Sequence, residues 1–180
     1  MRRRIQLTAF VAVIAVLGVV AAAVATGGGR NISERLMGFQ EVPAVSTGAS
    51  GRFEAQIGRF SDEIRYRLSY RDLEGSVTQA HIHLGQERVN GGISVWLCGN
   101  PSPTVTPPAG TQMCPPAPAT ITGTLEPDDV VGPTGQGIDA GQFDELLDAI
   151  DAGVTYANVH SSRFPGGEIR GQLDDRRHGR

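Results

Sequence analysis

The sequence predicts an all-β fold: an antiparallel β-sandwich or barrel of about eight short strands, with one short connecting helix at about 140–152. Three observations carry that expectation. The 180 residues include 24 Gly and 11 Pro, punctuation that suits many short strands joined by turns. Period-two alternation recurs, most clearly over Glu63–Tyr70: Ile64, Tyr66, Leu68 and Tyr70 face one way, and Glu63, Arg65, Arg67 and Ser69 the other. A helical period appears only in Ala140–Ala152, where Phe143, Leu146, Leu147 and Ile150 fall at i, i+3, i+4 and i+7.

Residues 1–25 stand outside the domain. Arg2, Arg3 and Arg4 form a basic start, followed by an apolar run from Ile5 to Ala25 and a small-residue site at 23–25. The run is near the length that spans a bilayer, so a cleaved signal peptide and an uncleaved membrane anchor through residues 5–25 both stand. The small-residue site favours cleavage. Either way the remainder is expected to be secreted or extracytoplasmic. Loss of residues 1–25 removes three Arg and no acid, taking the formal charge from −3 to −6. An acidic mature chain does not suit nucleic-acid binding. Lys is absent, which excludes Schiff-base chemistry on a lysine.

Residues 26–35 read as a linker and 36–173 as one domain. Leu36–Val42 reads as a first strand stopped by Pro43, and Arg52–Ile57 as a second that leads through a Phe60-Ser61-Asp62 turn to Glu63–Tyr70. Val77–Leu84 follows, then an Asn90-Gly91-Gly92 turn and the strand Ile93–Leu97, which carries the only Trp. Residues 99–119 are too rich in Pro for a sheet interior and read as a loop. Thr120–Leu125 is a short strand and Pro127–Val131 one helical turn. After the helix, stopped by Gly153, come strands at Val154–His160 and Glu168–Leu173, then a charged tail at 174–180.

Cys98 and Cys114 are the only cysteines and flank the Pro-rich loop. In an exported protein such a pair closes as a disulfide. A metal or redox pair would call for Cys-x-x-Cys spacing, which is absent.

Three of the four histidines form a pattern. Strand alternation puts His81 and His83 on one face, opposite Ala80, Ile82 and Leu84. Asn158 and His160 share a face of the next-to-last strand, and Glu168 and Arg170 share a face of the last. A hairpin between those two strands would bring His160 near Glu168. His-x-His with a third His suits one Cu(II) or Zn(II) ion bound by neutral imidazole nitrogens. The alternative is a polar face of Asn158, Glu168 and Arg170 in which the histidines hydrogen-bond neighbouring strands and loops, Glu168 orienting Arg170. The residues alone leave both open.

Several segments together resemble the CHRD domain family, the module first described as repeats in chordin. They are Gly-Phe-Gln-Glu-Val-Pro-Ala-Val (38–45), the Gly48–Gly51 turn, Ala-His-Ile-His-Leu-Gly (80–85), Asn-Gly-Gly-Ile-Ser-Val-Trp-Leu-Cys (90–98), Ile-Thr-Gly-Thr-Leu (121–125) and the long run from Asn158 to Leu173. The resemblance covers Leu36 to Leu173. It implies an extracellular or periplasmic module with no established general enzymatic activity. The chordin context implies protein binding, but the cysteine-rich modules that accompany the repeats there are missing, so growth-factor binding does not carry over. A looser similarity to Cu/Zn superoxide dismutase rests on the His-x-His in a β-strand. That family needs more His and Asp ligands than His81, His83 and His160 offer, and His178 lies in the tail, so at most a single site is implied.

No nucleophile elbow, phosphate loop or dinucleotide fingerprint occurs. Asp128-Asp129 and Asp174-Asp175 point apart as adjacent residues do, and nothing marks Ser161 or Ser162 as a nucleophile. The expectation is an exported, non-enzymatic β domain that binds an unidentified envelope or protein partner, or serves as a structural module. The alternative is a single-site copper or zinc protein for metal handling or redox protection.

Overall fold

The computed structural model describes residues 29–58 and 62–174. Eight strands form one antiparallel sheet: β1 (Arg30–Met37), β2 (Ser50–Ile57), β3 (Ile64–Arg71), β4 (Val77–Leu84), β5 (Gly92–Gly99), β6 (Ala119–Leu125), β7 (Thr155–Ser161) and β8 (Ile169–Leu173), with one helix, α1 (Phe143–Asp151). Their order across the sheet is β5-β4-β7-β8-β1-β2-β3-β6. The edges β5 and β6 curl toward each other. The Tyr66 hydroxyl of β3 donates to Leu97 O of β5 at 2.7 Å. Gly99 N–H donates to Gln112 O, and the Gln112 amide donates to Thr122 O of β6. The Cys98–Cys114 disulfide, with Cα atoms 5.1 Å apart, anchors the connecting loop to β5. The result is the nearly closed barrel that the alternating strands lead one to expect.

The inward residues are apolar: Leu36, Phe53, Leu68, Ile82, Val159, Ile169 and Leu173 are 0–1 % exposed. Helix α1 turns Phe143, Leu146 and Ile150 into the same core, each such side chain contributing about 1.5–3 kcal/mol when fully buried. Asp144 and Glu145 occupy its first turn, where the helix dipole favours them, and Gly153 at φ +70° ends it.

The N-terminal boundary differs from the sequence reading. Residues 30–35, read as part of a linker, belong to β1, which pairs with β2 from Arg30↔Ile57 to Met37↔Ser50. In this stretch Ile32 is the apolar residue turned into the core, while Asn31 and Arg35 stay exposed, so the strand looks polar in sequence. The first strand also stops earlier than expected. Gly38–Gln40 make a 3-10 turn that leaves Phe39 73 % exposed and turns Glu41 inward. Residues 1–25 and most of the charged tail, with His178, lie outside the described residues, as do Phe60 and Ser61 of the predicted turn. Among the described residues no helix is long and apolar enough to cross a membrane.

Candidate metal centre

The site lies on the side of β4, β7 and β8 that faces away from the apolar core. Alternation sends Ala80, Ile82, Ala157, Val159 and Ile169 into the core, leaving His81, His83, Tyr156, Asn158, His160, Arg170 and Gln172 on the opposite side. Register joins them into rows: His81 sits across from Asn158, which sits across from Arg170, and His83 across from Tyr156, which sits across from Gln172. This polar side is not a solvated surface. The same residues are 0–7 % exposed, and β7 is buried along its whole length. Three connections close over it: the turn after β1, the loop after β4 and the β7–β8 turn.

Each imidazole is held in a definite way. His83 Nδ1–H donates to Gly91 O at 3.0 Å and His160 Nδ1–H donates to Pro165 O at 2.9 Å. A carbonyl only accepts, so in each ring the proton sits on Nδ1 and Nε2 presents a lone pair. Such outer carbonyl contacts are how metal-binding histidines are oriented. The His160 Nε2 lies 3.2 Å from His81 Nδ1. The Nε2 atoms of His81 and His83 are buried without a hydrogen-bond partner among the described residues. One nitrogen from each of the three rings lies within 4.8 Å of the others. Metal–nitrogen bonds of about 2 Å at a tetrahedral angle separate two ligands by about 3.3 Å, so the His81–His160 pair already has the spacing. Drawing the third ring in from 4.8 Å to that spacing requires a contraction of at most about 1.5 Å.

Electrostatics keep the rings neutral. Burial, with the neighbouring His160 and His83 adding to it, lowers the His81 pKa to about 2. Burial lowers His83 to about 4 against the opposing pull of the Gly91 carbonyl, and lowers His160 as well. Neutral imidazole is the form that ligates metal, so no proton has to be displaced at neutral pH.

Aromatic and charged neighbours fix the shell. His81 meets the edge of Trp96 at 4.2 Å between ring centres, and His83 stacks on Tyr156 at 4.7 Å. The Arg170 guanidinium lies 3.4 Å from the Tyr156 ring centre and donates to Gln86 O, Val89 O and Asn90 Oδ1, tying down the loop that carries the Gly91 carbonyl. Glu41 enters from the turn after β1. Burial raises its carboxyl to about 7, against the attraction of Arg170 and the amides of Asn158 and Val42 that face it, and Oε1 has no hydrogen bond among the described residues. The carboxyl end of Glu41 lies against Gly167, whose φ of +127° strains any residue with a side chain.

The structure therefore brings together His81, His83, His160, Asn158 and Arg170. Glu168 goes elsewhere. Its N–H closes the hairpin onto Val159 O, but its carboxylate accepts from Thr47 Oγ1 and Glu74 N–H. The carboxyl groups that act on Arg170 are those of Glu41 and, more weakly, Glu87. Sequence reasoning did not single out Glu41, Tyr156 or Trp96 for the site. Tyr156 was recoverable by stepping the Asn158–His160 alternation back two residues. Glu41 had no such signal, because a turn aims it.

The family model described as CHRD domain matches residues 32–173. No curated protein and no solved structure matches the chain.

Proposed function

Because this chain belongs to the CHRD domain family, we propose that it is an exported, non-enzymatic β module whose binding function is to hold one copper or zinc ion through His81, His83 and His160. The observation that supports this most is the buried trio itself: three neutral imidazoles with candidate ligating nitrogens within 4.8 Å, two of them with Nε2 atoms that have no hydrogen-bond partner among the described residues. A buried polar atom without a hydrogen bond costs about 1–3 kcal/mol, and a cation among the three rings would relieve the His83 Nε2. Export is supported by the disulfide, which persists in oxidising compartments. Residues 1–25 would supply it as a signal peptide or a membrane anchor. Residues 174–180 are a charged tail in this reading.

The test is metal analysis of purified, dialysed protein after loading with Zn(II) or Cu(II). One ion per chain is expected, falling to none in His81→Ala, His83→Ala and His160→Ala. Folded wild-type protein that retains neither metal overturns the reading.

A second reading, an envelope partner, is favoured by a separate feature. Arg35, Arg52 and Arg71, with Ser50, Ser69 and Thr120, line an open groove on the outer face of β1, β2, β3 and β6. Arg35 and Arg52 sit directly across from each other, an arrangement that like charges disfavour unless an anion joins them. The partner would present carboxylate or phosphate groups. Loss of retention on a polyanion column in Arg35→Ala/Arg52→Ala would support it, and unchanged retention would end it.

A further inference from the structure

The three-histidine reading leaves a fourth position open, and one side chain is already aimed at it. Asn158 lies across β4–β7 from His81, and its Oδ1 is 3.1 Å from His160 Nε2. It also faces His83 on the same side. The structure turns its Oδ1 to His160, with the amide on the side of the buried Glu41 carboxyl.

That orientation creates a conflict at His160. A neutral imidazole has one N–H. His160 meets an acceptor on both sides, Pro165 O at Nδ1 and Asn158 Oδ1 at Nε2, at 2.9 and 3.1 Å. With the proton on Nδ1, the Nε2 lone pair can accept from His81 Nδ1–H at 3.2 Å but still faces the Asn158 lone pairs. With the proton on Nε2, the Nδ1 lone pair faces Pro165 O. Moving the proton only moves the clash. A second proton would put a buried cation 3.2 Å from His81 Nδ1. A metal ion removes the conflict, because nitrogen and oxygen then both point lone pairs at the same positive charge. Their separation of 3.1 Å is close to the ligand–ligand distance of a tetrahedral site with bonds of about 2.0–2.1 Å.

We propose that the Asn158 side-chain oxygen is the fourth ligand of the centre, giving three imidazole nitrogens and one amide oxygen, and that this set selects a divalent ion, Zn(II) or Cu(II), over Cu(I). Amide oxygen is a hard donor that suits divalent cations, whereas Cu(I) is chosen by soft sulfur ligands. The inference rests on the three-histidine reading.

The experiment compares wild type with Asn158→Ala by competition for Zn(II), and separately for Cu(I), against chelators of known affinity. The expected result is one Zn(II) per chain in both, with Zn(II) affinity about 10- to 100-fold weaker in the variant and Cu(I) affinity unchanged. Equal Zn(II) affinities, with the variant folded, overturn the Asn158 assignment and leave the histidine reading intact. Wild type that binds neither Zn(II) nor Cu(II) overturns both. A second measurement needs no variant: the Asn158 carboxamide carbon resonance of wild type should move on Zn(II) loading and stay on Cu(I) loading. An unmoved resonance at full Zn(II) occupancy also overturns the assignment.

Discussion

His81 Nδ1 lies 3.2 Å from His160 Nε2, although 79 residues separate them in the chain. The pairing of β4 with β7 produces the approach, since Gln79 sits across from His160 and His81 across from Asn158. Neither ring can leave without breaking a strand of a sheet in which both neighbours are paired.

Metal should stabilise the fold as well as occupy it. An ion that binds only the folded state adds about 2.7 kcal/mol at 100 times its dissociation constant, or roughly 5–10 °C in melting temperature for a domain of this size. Calorimetry of wild type with and without Zn(II) or Cu(II) should show that rise, and the His83→Ala variant should show none. A rise of equal size in the variant would mean the ion sits elsewhere.

The apo protein should weaken in mild acid. His81 and His83 have folded pKa values of about 2 and about 4, and His160 is lowered too, against 6.5 when unfolded. Below pH 6.5 the unfolded chain therefore takes up protons that the folded chain refuses, so the stability present above 6.5 is lost as pH falls. Glu41, raised from 4.5 to about 7, acts in the opposite sense and stabilises less as pH rises through 7. Between 4.5 and 6.5 His81 and His83 outweigh the single carboxyl by one proton, and the lowered His160 acts in the same direction. The loss should reach at least roughly 1.4 kcal/mol per pH unit. Urea midpoints measured at pH 6.5 and 5 should fall accordingly; equal midpoints would contradict neutral buried rings.

Arg170→Lys should be costly. Arg170 is 1 % exposed, and its guanidinium reaches three loop groups while lying over Tyr156. A lysine ammonium cannot reproduce the planar fork and leaves buried carbonyls unpaired. A loss of about 2–4 kcal/mol in urea unfolding is expected, with faster amide exchange across Gln86–Gly91. Stability within 0.5 kcal/mol of wild type, roughly the scatter of surface substitutions, would show that the loop does not depend on this side chain.

Removing the disulfide should open the barrel seam. The bridge closes a loop with a sequence separation of 16 and carries Gln112, which bonds the two edge strands. Cys98→Ser/Cys114→Ser should lose about 3 kcal/mol. Because the seam lies on the far edge of β5, Zn(II) affinity measured at a temperature where the variant is folded should change little.

Much of the fold was legible in the sequence because a strand facing a core writes its period into the chain. Ile64–Arg71, Val77–Leu84 and the β7–β8 hairpin were read almost to the residue. Helix α1 was read three residues too long at its start, since Gly141 and Gln142 belong to the turn that leads into it. Arg30–Met37 was missed in part because it shows few inward apolar residues, and pairing with β2 along its full length holds it instead.

By itself the sequence determined an all-β chain with eight strands, one helix and a cysteine pair flanking its Pro-rich loop, and it put His81, His83, Asn158, His160 and Arg170 on the non-core side of their strands. Only the tertiary structure decided that this side is buried, that Glu41 rather than Glu168 faces Arg170, and that Asn158 stands among the histidines. The reason is physical. Alternation fixes which way a side chain leaves its strand, but a solvent face and a loop-covered face have the same period. What lies over the face is set by turns after β1, β4 and β7, whose reach depends on contacts between residues far apart in the chain.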